Sequence, residues 1–243
     1  MTAPTEVTSA ILQQLKSLYP PNLNCVPCVS SILGNPWYIV ASVAFSASNR
    51  PDGVVSVFKF VADELAAQGA SHADHQLLFR KLQDALFKAA LLSGFAKTIN
   101  SLIALNKAAP EDLHDTEMLR DRTTSLATLE EGGTQVFQNV YGETAEPTQS
   151  LLDHIYPDLG WFIRTIAYGL VYGHTPVLSP METSFVIVAS LIAGDTPLQM
   201  SWHLKGAQRQ GASTEEARAV RAIAMESATL AGVSWRNGVP EVE

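Results

Sequence analysis

The chain has 243 residues, of which 47% are hydrophobic, 16% charged and 8% aromatic, and it carries a formal net charge of −8. A charged fraction well under the roughly 25% of an average soluble domain argues against disorder and for extra buried surface, such as an oligomer provides. The acidic balance repels polyanions, which argues against nucleic-acid or anionic-membrane partners.

No apolar run approaches the roughly 18 residues of a bilayer span. Residues 1–18 lack both a secretory apolar region and an Arg-rich presequence face. The final Val239-Pro240-Glu241-Val242-Glu243 is not a peroxisomal tripeptide address, so the expected location is cytoplasmic.

In chain order, residues 1–40 read as an N-terminal segment, 41–145 as a helical half and 146–243 as a second half, together one compact unit. Helical periodicity predicts helices over Val54–Gln68, Asp74–Ser93 and Phe95–Lys107. Pro110–Arg122 reads as a short polar helix. Thr123–Gly142, with its Glu130-Glu131-Gly132-Gly133, reads as a linker or a mobile crossing loop. Pro157–Tyr172 is apolar nearly all round, as expected of a buried helix or one at a subunit interface.

The C-terminal punctuation is sharper. Ser179-Pro180-Met181-Glu182 predicts a capped helix to Gly194, Asp195-Thr196-Pro197 opens a second to Gly211, and Ser213-Thr214-Glu215-Glu216 opens a third to Gly232. No segment alternates with period two, so the fold class is all-α. Gly69-Ala70-Ser71 and Gly211-Ala212-Ser213 each stand between long helices, which suggests a duplicated helix–Gly-Ala-Ser–helix element about a pseudo-two-fold axis.

His203 is the sharpest candidate for chemistry. It lies mid-helix beside Trp202 with Gln199 one turn earlier, and an imidazole there can act as a general acid or base near neutral pH. A half-buried structural histidine fits the same spacing. The position corresponding to it in the first copy is Val61, so any such site occurs once per chain. Glu182 is a second catalytic candidate, although its place in a capping box explains it equally. Tyr141, Tyr168, Tyr172 and Trp202 are among aromatics that can line an apolar pocket; there Gln199 and Trp202 would orient a substrate and the Tyr168 or Tyr172 hydroxyl would bind it. Cys25 and Cys28 have redox spacing without a preceding strand. No further ligands stand near them, and no metal site or cofactor motif is expected.

The series Tyr156-Pro157-Asp158-Leu159-Gly160, Tyr168-Gly169, Leu178-Ser179-Pro180-Met181-Glu182-Thr183, Leu198-Gln199, His203 and Gly211-Ala212-Ser213-Thr214-Glu215-Glu216 spans about a third of the chain, residues 150–235. It resembles the carboxymuconolactone decarboxylase-like family of the alkylhydroperoxidase D-like superfamily. The resemblance implies an all-helical fold, a symmetric homo-oligomer, and cofactor-free acid–base chemistry on a small carboxylated or cyclic substrate with a helix histidine at the position of His203.

The sequence also departs from the peroxidase branch of that superfamily. Thr196 and Gln199 stand where the Cys-x-x-Cys would be, and Ser184 stands where its glutamate would be. Met181 and Thr183 flank Glu182 where decarboxylase-type members carry an arginine. Three expectations result: a decarboxylase- or lyase-like enzyme; a non-catalytic helical oligomer that binds a ligand or protein; and a thiol-dependent redox protein using Cys25 and Cys28.

Overall fold

The computed structural model describes residues 5–21 and 29–243, and these form helices joined by short turns, with no strand among them. The fold is all-α. In chain order the helices are α1 (Ser9–Ser17), α2 (Val29–Gly34), α3 (Trp37–Ala47), α4 (Pro51–Ala67), α5 (His72–Ser93), α6 (Phe95–Ala108), α7 (Leu126–Tyr141), α8 (Ala145–Ile155) and α9 (Pro157–Phe162). A π-helix follows over Ile163–Tyr172, then α10 (Pro180–Ala193), α11 (Pro197–Arg209) and α12 (Thr214–Leu230).

The two innermost helices are α3 and α10. Every residue of α3 is buried, as is α10 from Glu182 to Ile192. Both are apolar on all sides, and a helix with no polar face is stable only when other helices surround it. They pack on each other, and α5 and α12 each pack across both, so that each half also covers the central helix of the other.

That cross-packing follows from a true internal repeat. In both copies a residue in the left-handed region ends the central helix, Asn49 at φ 56° and Asp195 at φ 52°. The next residues, Arg50 (φ −116°, ψ 71°) and Thr196 (φ −118°, ψ 74°), have nearly the same torsions and lead into a proline at the first helical position. Gly69 and Gly211, at φ 68° and 104°, then close α4 and α11. Ser71 and Ser213 open α5 and α12 with capping boxes to Asp74 and Glu216. The repeat is therefore one helix longer than its Gly-Ala-Ser signature, running α3–α5 and α10–α12.

One apolar cluster runs from Val7 to Val242 without a break between the halves. The boundary drawn at residue 40 falls inside α3. The expected linker over 123–142 is instead α7, whose Ser125 caps it and whose Phe137, Val140 and Tyr141 are buried. Its two glycines gave the impression of a loop, but Gly133 serves a close helix crossing. A Cβ there would lie 1.9 Å from the Arg164 carbonyl oxygen. The short polar helix expected over 110–122 shrinks to a 3-10 turn at Glu111–Leu113. The apolar 157–172 segment is split: α9 exposes Leu159, Trp161 and Phe162, and only the π-helix buries its side chains.

Candidate functional site

The site forms where α7, the π-helix, α10 and α11 converge. A π-helix has i→i+5 hydrogen bonds and a wider, weaker backbone, a form often found at functional sites. Here the widened turns bring Tyr168 and Tyr172 to one side, edge to face at 5.3 Å between ring centroids. Phe137 stacks on Tyr141 at 4.3 Å and meets Tyr168 edge-on at 5.0 Å. Trp202 and His203 of α11 close the cluster against Tyr141, at 6.2 and 5.5 Å.

His203 is buried, and its Nε2 stands 3.3 Å from the Tyr141 hydroxyl. Its Nδ1 has no partner among the described residues. Burial without any countercharge pushes the imidazole down to about 4, so it is neutral near pH 7, and in its Nδ1–H tautomer Nε2 accepts from Tyr141. The Tyr141 and Tyr168 rings stand next to each other, 6.2 Å apart between centroids and tilted by 57°. Burial raises both phenols, keeping them protonated. The arrangement sets two phenols and an imidazole side by side, in the order Tyr168, Tyr141, His203.

Tyr168 forms part of the wall of a cavity of about 60 Å³. Tyr172, Thr183, Ser184 and Ile187 also line it. One water needs about 10–15 Å³ of such space, so the cavity has room for several waters. His203 is not in the wall; it reaches the cavity only through Tyr141 and Tyr168.

Behind Thr183 lies a buried ionic group. Lys88 of α5, with no exposed surface, donates to Thr183 Oγ1 and to the His174 carbonyl, both at 2.8 Å, and stands 3.3 Å from Asp84. Asp84 also accepts from Arg120 at 2.6 Å. Desolvation outweighs the Asp84 attraction and brings the Lys88 ammonium down to about 8.

Of the residues singled out in the sequence, the structure gathers Tyr168, Tyr172, Trp202 and His203. Gln199 is exposed on α11 and makes no bond to His203. Glu182 accepts from the Ser179 backbone in its capping box and pairs with Lys81, facing away from His203. Cys25 and Cys28 lie outside the described residues. Tyr141, expected among the pocket aromatics, joins them from α7, in the stretch expected to be a linker. Sequence reading gave no role to Lys88 or to the Thr183 hydroxyl. No three His, Cys, Asp or Glu side chains among the described residues are grouped as metal ligands. No helix among them is long and apolar enough to cross a membrane.

No family model matches the chain. It is similar to peroxisomal protein 2 of Schizosaccharomyces pombe, with 32% identity over 83% of this chain and 90% of that one. It is also similar to peroxisomal protein 2 of Saccharomyces cerevisiae, with 25% identity over 85% of this chain and 92% of that one. At that identity and coverage, this chain belongs to the peroxisomal protein 2 family.

Proposed function

We propose that this chain is a cofactor-free enzyme of carboxymuconolactone decarboxylase-like type, moving a proton on a small carboxylated substrate held in the cavity between the π-helix and α10. The observation that carries this reading is the contact of buried His203 with the Tyr141 hydroxyl, beside Tyr168 of the cavity wall; the three side chains are read here as a proton file. Tyr168 is the catalytic residue that meets substrate. When it accepts a proton from carbon, its own proton passes to Tyr141, and the Tyr141 proton passes to Nε2 of His203. The resulting imidazolium, held down to about 4 by burial, then drives the same shifts in reverse and returns a proton to the substrate carbanion. The 3.3 Å Tyr141–His203 contact is long for such a bond, as catalytic hydrogen bonds often are before substrate arrives.

The test is proton exchange with solvent. The full chain in deuterium oxide, offered a panel of two- to four-carbon carboxylic and oxo acids, is expected to introduce deuterium at carbon or to release carbon dioxide. Tyr168→Phe and His203→Gln should lose that activity by at least about a hundredfold. A wild-type chain inert towards the panel, or variants as active as wild type, overturns the reading.

The names of the relatives support a peroxisomal location in place of the cytoplasmic default. A fluorescent fusion is expected to collect in peroxisomes; diffuse fluorescence overturns that assignment.

A second reading, self-association into a homo-oligomer that binds a ligand without turning it over, is favoured by one surface. Phe95, Ile99 and Ile103 lie along one face of α6, each about half exposed. Light scattering should give a mass of two chains or more, reduced by Ile99→Glu. A wild-type monomer at micromolar concentration would sink it.

A further inference from the structure

The buried lysine behind the cavity has no part in the proton file, yet it shapes what the cavity can bind. Thr183 Oγ1 accepts from the Lys88 ammonium, 2.8 Å away. Its own proton has no acceptor among the described residues, and the side chain forms part of the cavity wall. A hydroxyl that accepts from a cation is polarised and donates more strongly than a free one. No charged side chain among the described residues lines the cavity itself; Lys81 borders one other pocket, and Asp84 and Arg120 border another. Ser184 and Ile187 of α10 share the wall with Thr183, and Ile187 is buried. The Lys88 charge, itself without exposed surface, therefore reaches the cavity through Thr183, and away from bulk water its field counts for more.

We infer that Thr183, polarised by Lys88, is an oxyanion-binding residue that fixes the carboxylate end of a ligand in this cavity. Lys88 is the positioning residue, because it reaches the ligand only through Thr183. The cation that the sequence lacks beside Glu182 is thereby supplied from α5. With room for several waters, the cavity takes an anion of acetate or formate size, or the carboxylate end of a longer molecule that enters from outside. The inference rests on reading this cavity as the ligand site, but it does not require turnover.

The probe is sodium acetate, titrated into the full chain with isotope-labelled isoleucine methyl groups, with acetamide and sodium chloride as controls. The Ile187 methyl resonance should shift saturably with acetate and not with either control. Thr183→Ser should retain the response and Thr183→Val should weaken it by about tenfold or more, the loss expected for one hydrogen bond to a charged group. Thr183→Val is nearly isosteric, and an unchanged methyl spectrum away from the cavity verifies its fold. No saturable shift in wild type, an equal shift with acetamide, or an undiminished response in Thr183→Val overturns the inference. Acetate binding in a chain whose Tyr168→Phe variant is fully active would support the oxyanion residue while removing the proton file. Turnover without acetate binding would do the reverse.

Discussion

Gly133 of α7 and Gly169 of the π-helix face each other with no room for a side chain on either: a Cβ on Gly133 would come within 2.8 Å of the Gly169 nitrogen. A Cβ on Gly169 would fall 2.2 Å from the Leu129 carbonyl oxygen. The two backbones therefore touch, and this contact holds Phe137 and Tyr141 against Tyr168. Gly133→Ala and Gly169→Ala should each cost about 3 kcal/mol or more, because backbone cannot move aside as a flexible side chain can. Urea unfolding checks the magnitude, and a cost under about 1 kcal/mol would show that the crossing is looser than described.

The burial of His203 makes a prediction for pH. Its folded-state value of about 4 lies below the ordinary 6.5, so between those values the unfolded chain binds more protons than the native one. Stability should therefore fall as pH drops from about 6.5 to about 4, by about 3 kcal/mol in total from this group. His203→Phe should flatten that part of the curve. A wild-type profile already flat over this window would mean that the imidazole is solvated.

The proton file separates two tyrosines that share one cavity. Tyr172→Phe removes a hydroxyl from the wall but leaves Tyr168, Tyr141 and His203 in place. Deuterium exchange into a bound acid should stay within about threefold of wild type in Tyr172→Phe, against the hundredfold loss set by general acid–base catalysis for Tyr168→Phe. Equal losses in the two variants would assign the hydroxyls to binding alone.

The repeat predicts matching cap energies. The hydroxyls of Ser71 and Ser213 accept from the backbone N–H of Asp74 and Glu216 at 3.3 and 3.1 Å, and both carboxylates return the bond. Ser71→Ala and Ser213→Ala should each lower stability by about 1 kcal/mol. Thermal unfolding of the two variants and of the double substitution would show the costs adding, since the caps share no partner. A double variant no less stable than either single one would contradict this.

The parts of the fold that could be read from sequence were those with local punctuation. Ser179 with Glu182, Ser213 with Glu216, and the prolines at 180 and 197 mark helix starts by their own chemistry, and those helices lie where the sequence places them. Helix α3 escaped because Trp37–Ala47 is apolar on every side and so has no amphipathic period to detect. Helix α7 escaped because paired glycines usually signal a turn, and the partner backbone at Arg164 and Gly169, 31 and 36 residues on, explains only the second of them, Gly133. For the site, Tyr141, Tyr168, Tyr172, Trp202 and His203 were named from composition and spacing, and the structure brings them together. Lys88 and Thr183 meet across 95 residues of chain, a contact for which a single sequence carries no signal.

The clasp between α3 and α10 sets a timetable for synthesis. The partners of α3 include α10 and α12, more than 130 residues further along the chain. At about 5–20 residues per second, a ribosome needs roughly 9–37 s to supply both in full. During that interval α4 and α5 cover α3 in part, with Phe60 against Trp37, but the side that takes α10 and α12 stays open, in a helix without a single charged residue. The nascent chain thus presents a sticky surface early and conceals it late, which makes it a natural client for holding factors until the last helix emerges.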